Sequence, residues 1–180
     1  MSSSSSPRGF ALSSRLVHWV MAVLILAMLG LGLFIAHSST THYVTLLHLH
    51  LITGVSLLVL VIVRLLNRFV VPTPELPTDL TTPMRLGAIG AHLALYGLMI
   101  AQPLVGWAML SAGGYPITLG GSVTLPPLIA PDPALWANLR QLHTILAYSF
   151  IAVILLHIVA ALFHGLIRRD HVLSSMVSGK

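Results

Sequence analysis

Apolar residues gather into four long runs, Leu16–Ala36, Val44–Leu66, Leu86–Leu110 and Leu142–Ile167, separated by polar or proline-bearing breaks. Each run is near or above the roughly 20 residues needed to cross a bilayer core. In lipid such a run must be helical, because every backbone donor and acceptor needs a partner within its own segment. The pattern therefore predicts an all-α protein, a transmembrane four-helix bundle. Met1–Gly9 is a serine-rich tail expected to be disordered, which leaves residues 10–180 as one domain. The first run is too long for a signal-peptide core and has no small-residue cleavage pattern after it, so it reads as a retained helix. No internal repeat is visible.

Composition supports lipid as the main solvent. The 180-residue chain is 56% hydrophobic and only 7% charged, against about 25% charged in a soluble domain. The net charge of +5 does not point to nucleic acid, since no basic patch interleaved with aromatics exists. The absence of cysteine excludes disulfides, zinc thiolate sites, iron–sulfur ligation and thioether-attached haem.

The basic residues set an orientation. Arg8 and Arg15 precede the first run, Arg64, Arg68 and Arg85 surround the break between the second and third, and Arg168, Arg169 and Lys180 follow the fourth. With four crossings these eight share one side, and Arg140 alone falls on the other. The positive-inside rule then predicts that both termini are cytoplasmic. The inner break carries Pro72, Pro74, Pro77 and Pro83, which stop helices. The outer break, Ser111–Asn138, is longer and rich in Gly and Pro, and is expected to cap the outer end.

Ten histidines and four acids are the remaining chemistry, and the acids Glu75, Asp79, Asp132 and Asp170 all fall outside the apolar runs. An ionisable side chain within a membrane span is a functional candidate by default. By depth, His18 and His157 lie toward the inner face, and His50 and His143 toward the outer, with His143 near the outer start of the fourth helix. His143 and His157 are 14 residues apart. At about 100° per residue they share a helical face, and at about 1.5 Å per residue they are separated by about 21 Å along it. Two pairs follow, His18 with His157 and His50 with His143. Without intramembrane carboxylates or thiolates, a zinc or di-iron site is poorly served. Two imidazoles per site suit a low-spin haem iron instead, with both axial positions filled.

The plainer reading is that each histidine bonds a neighbouring helix. Four at paired depths weigh against it. His48 points to a different face from His50, and His37, His42 and His171 are expected to be solvated. Arg64, Arg68, His92 and His164 are candidates to contact haem propionates or a quinone headgroup; the competing roles are positive-inside anchors for the arginines and helix-end polarity for the histidines. Trp19 fits either a place on a macrocycle or an interfacial aromatic. Gly30, Gly32, Gly54, Gly97 and Gly106 suit close helix contacts or room for a flat ring, and also a homodimer.

The chain resembles the bacterial cytochrome b561 family, which is similar to the cytochrome b subunits of nickel–iron hydrogenases. The resemblance rests on His18-Trp19, on His50 with Gly54, Arg64-Leu65-Leu66 and Arg68, and on Pro72-Thr73-Pro74. It continues through Ala91-His92-Leu93-Ala94-Leu95-Tyr96, Gly114-Tyr115-Pro116-Ile117, His143, His157, His164 and Asp170. It implies two b-type haems ligated by His18, His50, His143 and His157, with ubiquinone as redox partner. One member type oxidises superoxide to oxygen and reduces ubiquinone. Leu142, where that type tends to carry an aromatic, and an outer loop with little positive charge depart from its pattern. Three functions are thus expected in contention: a superoxide oxidase or oxidase of another small donor, an electron-relay subunit docking a dehydrogenase or periplasmic cytochrome, and a cofactor-free structural bundle.

Overall fold

The computed structural model describes residues 9–37, 41–75, 77–120 and 123–179; apart from Gly9, the serine-rich tail lies outside them. Four long helices follow one another: α1 (Leu12–His37), α2 (Tyr43–Val70), α3 (Thr82–Ala112) and α4 (Pro133–Leu162). All four are long and apolar enough to cross a membrane, α4 counted together with its continuation to Arg168. The chain is all-α apart from a hairpin of two short antiparallel strands between α3 and α4, β1 (Ile117–Gly120) and β2 (Val123–Leu125). Ile117 pairs with Leu125 and Thr118 with Thr124, and a bulge precedes Gly120, whose φ is +126°.

α1 packs along α2, and α3 along α4; the two hairpins meet mainly through α2 and α3. α4 hardly touches α1 or α2 through its backbone. The bundle is accordingly loosely filled, and Val61 is the only large side chain fully enclosed among the described residues. Most large apolar side chains face outward, as lipid-facing helices require.

The fourth helix corrects the sequence-based boundary. It starts at Pro133 rather than Leu142, so the break after α3 is shorter than Ser111–Asn138. Asp132 is the cause: its Oδ1 accepts from the backbone N–H groups of Ala134 (2.9 Å) and Leu135 (3.0 Å), and Pro133 takes the first helical position. A carboxylate cap followed by proline is a strong helix start. The polar Asn138, Arg140 and Gln141 are therefore helical, and they mask the start from a hydropathy reading. His143 consequently sits ten residues into the helix, about 15 Å at 1.5 Å per residue, and not at its outer start.

α3 ends in a glycine-capped turn. Gly114, at φ +70°, lets the Tyr115 N–H reach the Leu110 carbonyl and the Gly114 N–H reach the Ser111 carbonyl, each at 3.0 Å. This is the Schellman arrangement, which satisfies otherwise orphaned carbonyls. Ser111 Oγ accepts from the Leu128 N–H (3.1 Å) and the Trp107 indole donates to the Pro126 carbonyl (2.9 Å), so the hairpin loop is tied to the helix end.

At the opposite end α4 passes into a π-helical turn, Phe163–Arg168, followed by a short helix, α5 (Val172–Val177). Arg169 and His171 adopt left-handed φ of 54° and 66°, a conformation costly for non-glycine residues. The reversal folds α5 back against the start of α1. Arg15 donates to the Val177 carbonyl, the Trp19 indole to the Met176 carbonyl (3.2 Å), and the Phe10 N–H to the Ser175 carbonyl (3.4 Å). Chain regions near both termini thus share one end of the bundle.

Candidate haem site

His18 (α1) and His157 (α4) face each other with ring centroids 6.3 Å apart and planes inclined at 69°. His50 (α2) and His143 (α4) repeat the arrangement at 6.3 Å and 72°. Both pairs bridge helices that barely pack on each other. An imidazole nitrogen bonds a transition metal at about 2 Å and lies about 1 Å from its ring centre, so two imidazoles on opposite sides of one metal have centroids about 6 Å apart. The observed separation fits that requirement twice.

Other features narrow the donor set. No group of three or more His, Asp or Glu side chains converges to hold a bare metal ion among the described residues. Two opposed imidazoles per site match a metal that brings its remaining ligands in a macrocycle. The Nδ1 atoms of His50 and His143 are buried without a hydrogen bond of good geometry. Each ring nevertheless interacts with a backbone carbonyl, that of Met28 for His50 and that of Gln102 for His143. A histidine that ligates through Nε2 typically donates its other N–H to such a group. Gly32 lies against His50 and Gly106 against His143, and Gly54 makes room for Met28, whereas Gly30 and Gly97 face open space.

The His18–His157 pair has company. His92 on α3 lies with its ring 5.7 Å from that of His157, a proximity that depth along the chain did not reveal. Trp19 packs edge-on to His18 at 5.3 Å. Arg64 donates through Nε to the Tyr96 hydroxyl at 3.2 Å, which leaves its terminal nitrogens available. Arg68 makes no side-chain hydrogen bond among the described residues.

His164 has a different setting. Its Nδ1 lies 2.5 Å from Asp170 Oδ2, and the same oxygen accepts from Arg168 Nε at 2.9 Å. Arg168 also reaches Asp79 at 2.7 Å, on the turn between α2 and α3. Partial burial alone would raise the Asp170 carboxyl, but the hydrogen bonds from Arg168 and His164 outweigh it and hold the carboxyl below its ordinary value. The π-helical turn and the left-handed Arg169 bring these groups together, and no helical periodicity would have placed them so.

Four helices long and apolar enough to cross a membrane, carrying two opposed imidazole pairs, fit the class of b-type cytochromes. A profile of the prokaryotic cytochrome b561 family matches residues 9–179, and the chain belongs to that family. It is a haem-binding membrane electron carrier, and family membership implies haem b. The chain is 31% identical over 182 residues to "Cytochrome b561 homolog 2" of Escherichia coli strain K12, covering 98% of this chain and 95% of the relative. It is 28% identical over 165 residues to "Probable superoxide oxidase CybB" of Yersinia pestis, covering 91% and 93%. A third relative, "Cytochrome b562" of Cereibacter sphaeroides, is 32% identical over 130 residues, covering 72% and 66%.

Proposed function

We propose that this chain holds two b haems and exchanges electrons with the quinone pool of a bacterial inner membrane, its termini in the cytoplasm. The observation that carries the reading is the repeated 6.3 Å separation of imidazoles on helices that otherwise hardly meet. His18 and His157 ligate the inner group, His50 and His143 the outer one. Bound there, haem iron supplies one-electron redox chemistry at two depths of the bilayer. Two imidazoles would hold each iron from opposite helices and would leave no coordination site open to oxygen. Eight of the nine basic residues fall on the side that the positive-inside rule assigns to the cytoplasm.

The remaining polar residues have roles consistent with this assignment. Arg64 and Arg68 offer guanidinium groups suited to propionate carboxylates, and His92 adds a donor beside His157. His164 is hydrogen-bonded through Nδ1 to Asp170, leaving Nε2 to meet a quinone headgroup near the inner surface. Quinone reduction takes up two electrons and two protons, and quinol oxidation releases them.

Superoxide as electron donor and ubiquinone as acceptor is the finer reading, supported by the likeness to the relative named a probable superoxide oxidase. Two superoxide anions would each lose one electron, giving two molecules of oxygen per quinol formed. The test is purified protein mixed anaerobically with a quinol analogue, then aerobically with a superoxide source and a quinone analogue. Reduction of a b-type band by quinol supports exchange with the pool, and no response to quinol or quinone contradicts it. Quinone-coupled superoxide loss near the diffusional limit assigns the oxidase; slow or uncoupled loss assigns an electron relay docking a redox protein.

A further inference from the structure

His50 and His143 meet their neighbouring helices in the same way. A Cβ built on Gly32 of α1 would lie 3.2 Å from His50 Cε1 and 3.7 Å from its Nδ1. A Cβ on Gly106 of α3 would lie 3.2 Å from His143 Cε1 and 3.5 Å from its Nδ1. In each case one ring edge rests on bare backbone. The carbonyl that interacts with each ring belongs to the residue four before the glycine, Met28 and Gln102 respectively. In an α-helix that carbonyl accepts from the glycine's own N–H and retains a second lone pair. The two Nδ1 atoms have no better partner, and lipid offers no water to supply one. No glycine backs His18 or His157 in this manner among the described residues.

We propose that Gly32 and Gly106 are paired backbone seats that orient His50 and His143 and thereby set the reduction potential of the outer haem. The proposal rests on the reading that these two histidines hold a haem. Each seat lets an Nδ1–H face a helix carbonyl and leaves Nε2 for iron. Such an outer contact fixes the tautomer and raises ligand basicity, which favours oxidised iron. A methyl group at 3.2 Å forces the ring to give by a few tenths of an ångström. The contact lengthens, the ligand becomes less basic, and the potential rises.

Two internal controls separate this from general helix effects. Gly30 lies about 200° around the helix from Gly32, and Gly97 about 180° from Gly106, at 100° per residue. Both face open space. Redox titration and low-temperature paramagnetic resonance on the holoprotein therefore make the test, with Gly32→Ala, Gly106→Ala, Gly30→Ala, Gly97→Ala, His50→Ala and His143→Ala. The expected result is an upward shift of the outer midpoint and an altered outer low-spin signal in the Gly32 and Gly106 variants. The inner haem stays unchanged in content and potential, and Gly30→Ala and Gly97→Ala match the wild type. Unchanged outer midpoints in Gly32→Ala and Gly106→Ala overturn the seats, as do equal shifts in the controls. Loss of both haems from Gly32→Ala and Gly106→Ala also overturns them, since the glycines would then serve the bundle as a whole. The pairing itself falls separately, if His50→Ala or His143→Ala retains two haems.

Discussion

The imidazole of His157 on α4 faces that of His18 on α1 at 6.3 Å, although the two helices hardly touch. Helices in lipid gain little by standing apart, because their association rests on close van der Waals packing. A separation repeated at His50 and His143 thus marks a space with a purpose. Substitution should divide the four histidines into two sets. His18→Ala and His157→Ala are expected to remove the inner haem, and His50→Ala and His143→Ala the outer, each variant keeping about half the haem. Haem content with redox titration of each variant checks this. Loss of the same haem from His18→Ala and His143→Ala would contradict the pairing.

His92 tests whether the inner site uses a particular pair of its three rings. His92 is 5.7 Å from His157, and His18 is 6.3 Å from it. With His18 as ligand, His92→Ala should retain both haems and move only the inner midpoint. Loss of the inner haem in His92→Ala, together with its retention in His18→Ala, would reverse the assignment.

The steep inclination of the paired rings has a spectroscopic consequence. Planes at 69° and 72° leave the iron orbitals that interact with the two imidazoles nearly equal in energy. Oxidised protein should therefore show strongly anisotropic low-spin signals from both haems. Signals typical of parallel imidazoles would mean that the rings turn when haem is bound.

Much of this was legible in the residues, and the exceptions have physical causes. Apolar length located four spans, and depth alone set His18 level with His157 and His50 level with His143. The start of α4 was hidden because hydropathy reads the bilayer rather than the helix, and Asn138, Arg140 and Gln141 are helical outside an apolar run. The Asp132-Pro133 capping signal could have revealed it. The proximity of His92 to His157 depends on the rotation of α3 about its axis, which no single-chain pattern specifies. The π-helical turn and the His164–Asp170 contact depend on left-handed Arg169, for which no glycine gives warning.

That contact predicts a pH dependence at the α5 end of the bundle. Asp170 is held below its ordinary value, so its contribution to stability is present above the unfolded carboxylate pKa, about 3.9. It is lost as pH falls through the lower folded value. Hydrogen exchange over residues 170–177 should show protection at neutral pH and opening on acidification below the ordinary carboxylate range. Asp170→Asn should be open throughout. Equal protection in that variant would show that α5 is held by its contacts with Arg15 and Trp19 alone.

Loss of the Asp132 cap should weaken the start of α4 by about 1 kcal/mol, the usual cost of removing such a group. Asp132→Ala is expected to lower the thermal midpoint of the holoprotein modestly while leaving both haem midpoints in place, since His143 lies ten residues further on. A large change in the outer haem would show that the cap positions His143.

The most direct measurement is haem per chain in purified protein, read by reduced-minus-oxidised and pyridine haemochrome spectra. Two b-type haems per polypeptide, both six-coordinate and low-spin, are predicted. One haem, none, or a high-spin centre open to exogenous ligands would contradict the gripping of iron by two imidazole pairs.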